Sequence, residues 1–226
     1  MDERLKRKAI FGVMVTPLMF GLPLFVSAGT LNYWQGWLFL AVFVIATILH
    51  TVYLAKNDPE LLERRMRAGP TAEKRTVQQI VMAVVTALFF LILVLGGLDH
   101  RFGWSALPFW IPLSGDALIA LSYVGYFFVF RQNRFAAATI DVVEGQTVIS
   151  TGLYGIVRHP MYAAGLLMFF GMPLAVGSLY ALVPVFFALP VLIWRLLDEE
   201  KCLAENLNGY KEYCAKVKYR LVPGIF

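Results

Sequence analysis

Several uncharged, apolar runs near or above 18 residues dominate this chain, and few kinds of fold can accommodate them. Inside a bilayer the backbone amides of such a run must be satisfied within the segment, so that only a helix or a closed barrel can cross. The runs lack the alternation of apolar and polar residues that is typical of barrel strands. The sequence therefore predicts an all-α fold, a polytopic bundle of transmembrane helices.

Six spans are predicted along the chain. They cover Ala9 to Ala28, Trp34 to Ala55, Ile80 to Leu98, Ile111 to Phe130, Met161 to Val176 and Leu179 to Leu197. Only Gly177 and Ser178 separate the last two spans, so a tight antiparallel hairpin is expected there. One long helix from Met161 to Leu197 would reduce the number to five, although the prolines in this stretch argue against a straight rod.

The cations predict how the bundle is oriented. Of the 20 lysines and arginines, all except Arg101 lie in segments that an even number of spans places on one side. By the positive-inside rule this side, with both termini, is cytoplasmic. The net charge of +5 then reflects topology and contact with anionic lipid, and nucleic-acid binding is not expected.

The cysteines and histidines give no sign of a metal centre. Cys202 and Cys214 lie on the reducing side, where a disulfide is not expected, and their spacing matches no metal-binding pattern. The three histidines are scattered along the chain. The sequence therefore predicts neither a structural nor a catalytic metal.

Polar residues gather at the start of the fifth span. Pro160 is suited to the first position of a helix, and the free amides at that helix end, together with Arg158, favour an anion such as a carboxylate. His159 precedes a proline and should be extended. Tyr154 and Tyr162 are placed to stack on an aromatic base or to face a cation. A simple helix cap with arginine reaching lipid phosphate is the alternative.

Acidic residues end the sixth span, where they oppose the helix dipole and so call for another explanation. Glu199 follows Arg195 by four residues and could pair with it, which leaves Glu200 as the better ligand contact, for example to ribose hydroxyls or an amino group. Further on, residues 209–221 are typical of a short amphipathic helix at the membrane surface that ends near Arg220.

A third polar stretch lies between the second and third spans. Asp58 is placed to cap a short helix that begins at Pro59, with Glu60 and Arg64 paired one turn apart. This segment is either an interfacial helix on lipid phosphates or a direct part of the site.

These elements together carry a resemblance. The segment GLYGIVRHPMY at residues 152–162, then Glu199-Glu200, then Gly209 with Tyr213 and Arg220 with Pro223, resembles the isoprenylcysteine carboxyl methyltransferase family and its phospholipid methyltransferase relatives. The match covers roughly the C-terminal 95 residues. Residues 57–65 and 97–105 also look like bacterial members.

The resemblance implies a polytopic enzyme that binds S-adenosyl-L-methionine under cytoplasmic loops and takes a lipophilic substrate from the bilayer. Residues 1–130 would be scaffold helices, and 131–226 the methyltransferase-like region. The implied cofactor contacts are Tyr154, Arg158, His159, Pro160, Tyr162, Glu199 and Glu200. For a carboxylate acceptor, Arg220 is the first candidate for the orienting cation and Arg195 the second. For an amine acceptor, Glu200 or His159 would take the proton.

Three alternatives stay open. One is a phospholipid N-methyltransferase that acts on ethanolamine, although the Gly-x-Gly element associated with that branch has no clear counterpart before Gly125. Another is a sterol or enone reductase of related membrane fold, which would use NADPH and need more cations than the Arg158 region offers. The last is a lipid-binding membrane protein without enzymatic activity, in which the charges of Arg158 and Glu200 would be dispensable.

Overall fold

A computed structural model describes residues 2–226 and has helices as its regular structure. Eight α helices follow in order: α1 Glu3–Ala28, α2 Trp34–Asn57, α3 Pro59–Met66, α4 Thr76–Phe102, α5 Trp110–Gln132, α6 Pro160–Ala175, α7 Leu182–Asn206 and α8 Tyr210–Lys216. Two short 3-10 helices cover Pro70–Ala72 and Gly152–Gly155. No strand occurs among the described residues, and the predicted all-α membrane bundle is confirmed.

Four of the six predicted spans are long and apolar enough to cross a bilayer: α1, α2, α4 and α5. The fifth, α6, is apolar but has only 16 residues. The sixth, α7, has 25 residues, but its last turns are charged. The chain is therefore an integral membrane protein in which α6 and α7 are less typical spans than the other four.

The connection between α6 and α7 differs from the prediction. Residues 176–181 separate the helices, and Gly177 lies in the left-handed region with φ of 71°. One continuous helix is thus excluded, but the expected tight packing of α6 on α7 is wrong as well. Instead α6 packs mainly on α5, and α7 packs on α4.

Small residues permit the closest of these helix contacts. A Cβ on Gly115 of α5 would lie 2.1 Å from the backbone nitrogen of Ala175 in α6. A Cβ on Gly97 of α4 would lie 1.9 Å from Ser27 Oγ in α1. Glycine at both positions lets the backbones approach, which is a common way for membrane helices to gain van der Waals contact.

The predicted cap of α3 is confirmed. The Asp58 carboxylate accepts a hydrogen bond from the Leu61 amide at 3.0 Å, and Pro59 is the first residue of the helix. Arg64 and Glu60 pair at 3.4 Å. Because Leu61 and Leu62 are buried against the bundle, the next turn carries Arg65 inward rather than toward lipid headgroups.

Candidate functional site

Four charged or titratable side chains meet where α6 begins and α7 ends. Arg158 Nε lies 2.7 Å from Glu200 Oε1, His159 Nε2 lies 3.2 Å from the same oxygen, and Arg220 Nε lies 2.8 Å from Oε2. We call these four residues the charge cluster. Pro160 is the first residue of α6, as predicted, and His159 before it is non-helical with ψ of 62°. The anion expected beside Arg158 is therefore the protein's own Glu200.

The electrostatics of the charge cluster keep Glu200 ionised. Burial alone would raise the pKa of this carboxyl, but hydrogen bonds from His159, Arg220 and Arg158 outweigh it and lower the pKa to about 2. The side chains of Arg158 and His159 are buried, and Glu200 is nearly so. Both carboxylate oxygens already have partners, so Glu200 acts here to join helix ends.

The same cluster fastens the C-terminal segment. The amides of Arg158 and His159 each donate to a carbonyl, at Tyr219 and Arg220 respectively, at 2.9 Å. The Tyr213 hydroxyl of α8 donates to the Tyr154 carbonyl at 2.7 Å. Since Tyr210 and Tyr213 are buried, α8 is part of the wall of the site and not only a membrane anchor.

A partly open cleft lies beside the charge cluster and contains about 780 Å³ of empty space. Its walls come from the α5–α6 connection, the start of α6, the end of α7 and α8. Predicted site residues that line it are Tyr154, Arg158, His159, Pro160, Tyr162 and Glu199. Glu200 and Arg220 belong to the charge cluster and are not among the residues that line the cleft.

A second cavity lies within the bundle, with about 870 Å³ of empty space. Side chains of α3 to α7 surround it, and most of them are apolar, such as Met82, Val85, Phe169 and Leu192. We call this space the bundle cavity. Five residues line both it and the cleft, and we call them the shared wall: Ala137, Thr139, Met161, Tyr162 and Glu199.

Within the shared wall, Tyr162 donates a hydrogen bond to Glu199 Oε2 at 2.6 Å. The expected pairing of Glu199 with Arg195 is thus replaced by a partner on α6. Of the two acids, Glu199 and not Glu200 faces both spaces. A carboxylate at this position can meet a cationic ligand in the cleft.

Arg195 has a different setting from the one the sequence suggested. Its Nη2 lies 2.6 Å from Glu73 Oε1 and 3.0 Å from the Ala138 carbonyl, and its Nη1 lies 2.7 Å from Gln78 Oε1. Arg195 and Glu73 are both buried, so this ion pair joins α7 to the connection before α4. Although Arg195 lines the bundle cavity, its charge is already compensated.

The sequence interpretation did not identify several residues that line these spaces. Residues 133–149 form much of one side of the cleft, but they contain no motif that would mark them. The segment at residues 57–65 was expected to be either interfacial or part of the site, without Arg65 being singled out. Arg65 lines the bundle cavity, and its position after two buried leucines of α3 is the signal that could have identified it. No group of three or more metal-ligating side chains occurs within residues 2–226, and Cys202 and Cys214 are unpaired.

Comparison with known proteins gives two kinds of similarity. A family model described as phospholipid methyltransferase matches residues 110–209, somewhat less than half of the 226-residue chain. That range includes all of α5, α6 and α7, and hence most residues of the cleft. It leaves Arg65 and the C-terminal segment outside.

Curated relatives of this chain include sterol reductases. The chain is 30% identical to a Delta(14)-sterol reductase of Mus musculus over 138 residues, which cover 53% of this chain and 32% of that protein. It is 30% identical to a 7-dehydrocholesterol reductase of Arabidopsis thaliana over 96 residues, 39% of this chain and 22% of that protein. It is 26% identical to a Delta(14)-sterol reductase of Schizosaccharomyces pombe over 128 residues, 49% of this chain and 30% of that protein. The chain thus spans a third or less of the length of these relatives.

Proposed function

We propose that this protein is a membrane-embedded methyltransferase that transfers a methyl group from S-adenosyl-L-methionine to a lipophilic acceptor. The acceptor we favour is a carboxylate, such as that of an isoprenylcysteine-like compound. The cleft would hold the cofactor and the bundle cavity the acceptor. The match of residues 110–209 to the phospholipid methyltransferase family and the shared wall between the two spaces support this assignment.

The charges that line the cleft are the observation on which the proposal depends. Between positions 2 and 226, Arg158 is the only lysine or arginine in that lining, and its Nε is bonded to Glu200. Asp141 and Glu199 also line the cleft. S-adenosyl-L-methionine carries a sulfonium and an ammonium group against one carboxylate, and this lining suits such a ligand. A polyanion such as NADPH would need cations that are not already paired.

Named residues of the cleft fit the parts of the cofactor. Glu199 would face a sulfonium or ammonium group, and the rings of Tyr154 and Tyr210, which also line the cleft, would stack on the adenine or meet the cation. His159 and Pro160 hold the start of α6, so that its first amides border the same space. Glu200 and Arg220 contribute indirectly, because they hold Arg158 and the C-terminal segment in place.

The cofactor supplies a methyl carbon whose bond to sulfur breaks as a bond to the acceptor oxygen forms, with the electron pair of the broken bond staying on sulfur. No proton needs to move when the acceptor is a carboxylate. The task of the protein is then to align two bound molecules and to exclude water. Tyr162 and Met161, which lie between the cleft and the bundle cavity, fix where the two can meet.

The proposal assigns a role to each part of the chain. Residues 131–226 would carry the cofactor site, as expected from sequence. Residues 1–130 would be more than a scaffold, because Arg65 of α3 and Met82 and Val85 of α4 line the bundle cavity. By the positive-inside rule, the charge cluster and both termini would face the cytoplasm.

A sterol or enone reductase is the second candidate, and the identity of 30% to the mouse Delta(14)-sterol reductase is the observation that favours it. In that case the bundle cavity would hold the sterol, and the cleft would hold NADPH. Glu199, a carboxylate without an ion-pair partner among the described residues, opposes this ligand, although Asp141 is compensated by Lys74. The apolar bundle cavity suits either acceptor.

The test is to incubate the purified protein in lipid with methyl-labelled S-adenosyl-L-methionine and two acceptors, an S-prenylcysteine and phosphatidylethanolamine. Label in the prenylcysteine is the expected result. Label in the ethanolamine lipid would show that the acceptor is an amine and not a carboxylate. A parallel assay follows oxidation of NADPH with an unsaturated sterol, and turnover there would overturn the methyltransferase proposal. Cofactor binding without transfer to either acceptor would contradict the proposed acceptor classes.

A further inference from the structure

We propose that Arg65 binds the anionic head group of the acceptor and thereby sets its specificity. This inference rests on the proposed function and assigns a residue of α3, which lies outside the family match and was not among the sequence candidates. The site would take a lipophilic molecule that ends in a carboxylate. The reasons lie in the contacts of three arginines and in the shape of the bundle cavity.

The charge of Arg65 has no acidic partner. No carboxylate lies within ion-pair distance of its guanidinium in the part of the chain that the structure describes. Its Nη1 donates to the Ala137 carbonyl at 3.1 Å and lies 3.5 Å from Met161 Sδ, while Nε and Nη2 form no hydrogen bond to another described residue. The guanidinium also lies over the Phe130 ring, 4.9 Å from its centroid.

The other two candidate cations are occupied. Arg220 is bonded to Glu200, and its guanidinium also lies over the Phe226 ring at 5.1 Å. Arg195 is bonded to Glu73. Breaking the buried Arg195–Glu73 pair would leave a charge uncompensated, so Arg195 is not free to bind a ligand without cost. Arg220 lines neither the cleft nor the bundle cavity. Arg65 can bind an anion and lose no ion pair.

The surroundings of Arg65 favour the binding of an anion. Burial lowers the pKa of Arg65, and the neighbouring Tyr126 and Tyr154 offset this only in part. An acceptor carboxylate in the bundle cavity would compensate the charge, and a planar guanidinium with two free nitrogens can hold it bidentately. The apolar residues Met82, Val85 and Phe169 would contact the hydrocarbon chain.

The position of Arg65 also fits methyl transfer. The two residues that Arg65 Nη1 contacts, Ala137 and Met161, both belong to the shared wall. A carboxylate bound by Arg65 would therefore lie next to the boundary with the cleft. This places the reacting oxygen on the side from which a methyl group would come.

The experiment measures binding, so that it does not depend on turnover. The affinities of an S-prenylcysteine with a free carboxylate and of its primary amide are measured by calorimetry with the protein in lipid nanodiscs. We expect the native protein to prefer the carboxylate by about 10-fold or more, which is the size of a charge-assisted hydrogen bond. In Arg65→Gln this preference should disappear, with affinity for the amide nearly unchanged.

Two further variants keep the test decisive. Arg67→Gln, at the exposed end of the same helix, removes an equal charge that pairs with Glu63 and should retain the preference. Arg65→Lys keeps the charge but not the planar guanidinium, and it should retain part of the carboxylate preference. Equal affinity of the native protein for both probes, or an unchanged ratio in Arg65→Gln, would overturn the inference. A general loss of folding would also lower the affinity for the amide, and in that case the ratio in Arg65→Lys decides: it should fall between that of the native protein and equality, and a ratio equal to the native one would overturn the inference.

The outcome is separate from that of the proposed function. Binding of S-adenosyl-L-methionine is measured on the same samples without acceptor, and Arg65→Gln should not change it. Loss of carboxylate preference together with failure to bind this cofactor would support Arg65 as the head-group residue and reject the methyltransferase. Binding of S-adenosyl-L-methionine together with an unchanged carboxylate preference in Arg65→Gln would reject Arg65 as the head-group residue and leave the methyltransferase proposal standing.

Discussion

Arg158, which is buried, and Arg65, which is partly buried, lie in neighbouring spaces and are compensated in different ways. Arg158 beside the cleft is paired with Glu200 and also donates to the Val217 carbonyl at 3.1 Å. Arg65 beside the bundle cavity has a carbonyl, a thioether and an aromatic ring, but no acid. The comparison suggests that the first charge stabilises the fold and that the second is kept for a ligand.

The two arginines lie in regions that are held together by different contacts. The charge cluster joins the start of α6, the end of α7 and the C-terminal segment through one carboxylate, beside the apolar contacts of Tyr210, Tyr213 and Val217. Around Arg65 the leucines of α3 and residues of α2 and α5 already form an apolar cluster. The α3 region is thus held mainly by apolar contacts, whereas ion pairs to Glu200 add to the apolar contacts at the ends of α6 and α7.

The largest effect is expected from removing the shared acid of the charge cluster. Glu200→Gln would leave Arg158 nearly buried and uncompensated, and we expect a loss of about 3 kcal/mol in the free energy of unfolding. Unfolding by dodecyl sulfate in mixed micelles measures it. Glu205→Gln, an exposed position on the same helix, is the matched control and should change little. A loss as small as that of the control would mean that Arg158 is not held by Glu200.

The pH dependence of stability should distinguish the arginine that is paired with an acid from the one that is not. The pKa of Glu200 is lowered from 4.5 to about 2, so its stabilising contribution is complete above about pH 4.5 and is lost as the pH falls toward 2. The stability difference between the native protein and Glu200→Gln should therefore shrink over that range. Arg65→Gln has no such partner, and its difference from the native protein should not follow this curve. A parallel decline for both variants would contradict the comparison.

A smaller effect is expected on cofactor affinity when the acid of the shared wall is neutralised. Glu199→Gln keeps the shape and can still accept a hydrogen bond from Tyr162, but it removes the charge that faces the cleft. We expect binding of S-adenosyl-L-methionine to weaken about 10-fold, as for loss of one charge-assisted contact. Equilibrium dialysis measures this affinity. Unchanged binding would show that the cofactor does not meet Glu199.

The smallest effect is expected at an exposed ion pair near the cleft. Lys74 and Asp141 lie 2.5 Å apart, but Lys74 is largely exposed. Lys74→Ala should cost less than about 1 kcal/mol, because water already solvates both groups. The same micelle unfolding assay applies. A cost near that of Glu200→Gln would mean that exposure does not distinguish structural from incidental ion pairs in this protein.

Local features of the fold could be predicted from sequence because their causes are local. Asp58 caps α3, and Pro160 begins α6, since a side-chain acceptor and a missing amide act within one turn of the chain. The apolar runs likewise predicted the spans. The α6–α7 connection was predicted less well, because which helix α6 packs on depends on Gly115 in α5.

The site itself was predicted only in part, because its contacts are distant in sequence. Arg158, His159 and Tyr162 were correctly expected near one another and near the acids of α7. Which acid each would meet was not evident, and Arg195 pairs with Glu73, 122 positions away, instead of Glu199. Periodicity within one helix cannot reveal a partner on another helix.

The central claim is that the lining of the cleft selects a cationic nucleoside derivative over an anionic dinucleotide. Its most direct test is equilibrium binding of S-adenosyl-L-methionine and of NADPH to the purified protein in lipid nanodiscs, each with the other as competitor. We expect saturable binding of S-adenosyl-L-methionine, weakened in Glu199→Gln, with no displacement by NADPH. Two results would contradict the account. One is saturable NADPH binding that displaces S-adenosyl-L-methionine, and the other is saturable NADPH binding with no binding of S-adenosyl-L-methionine.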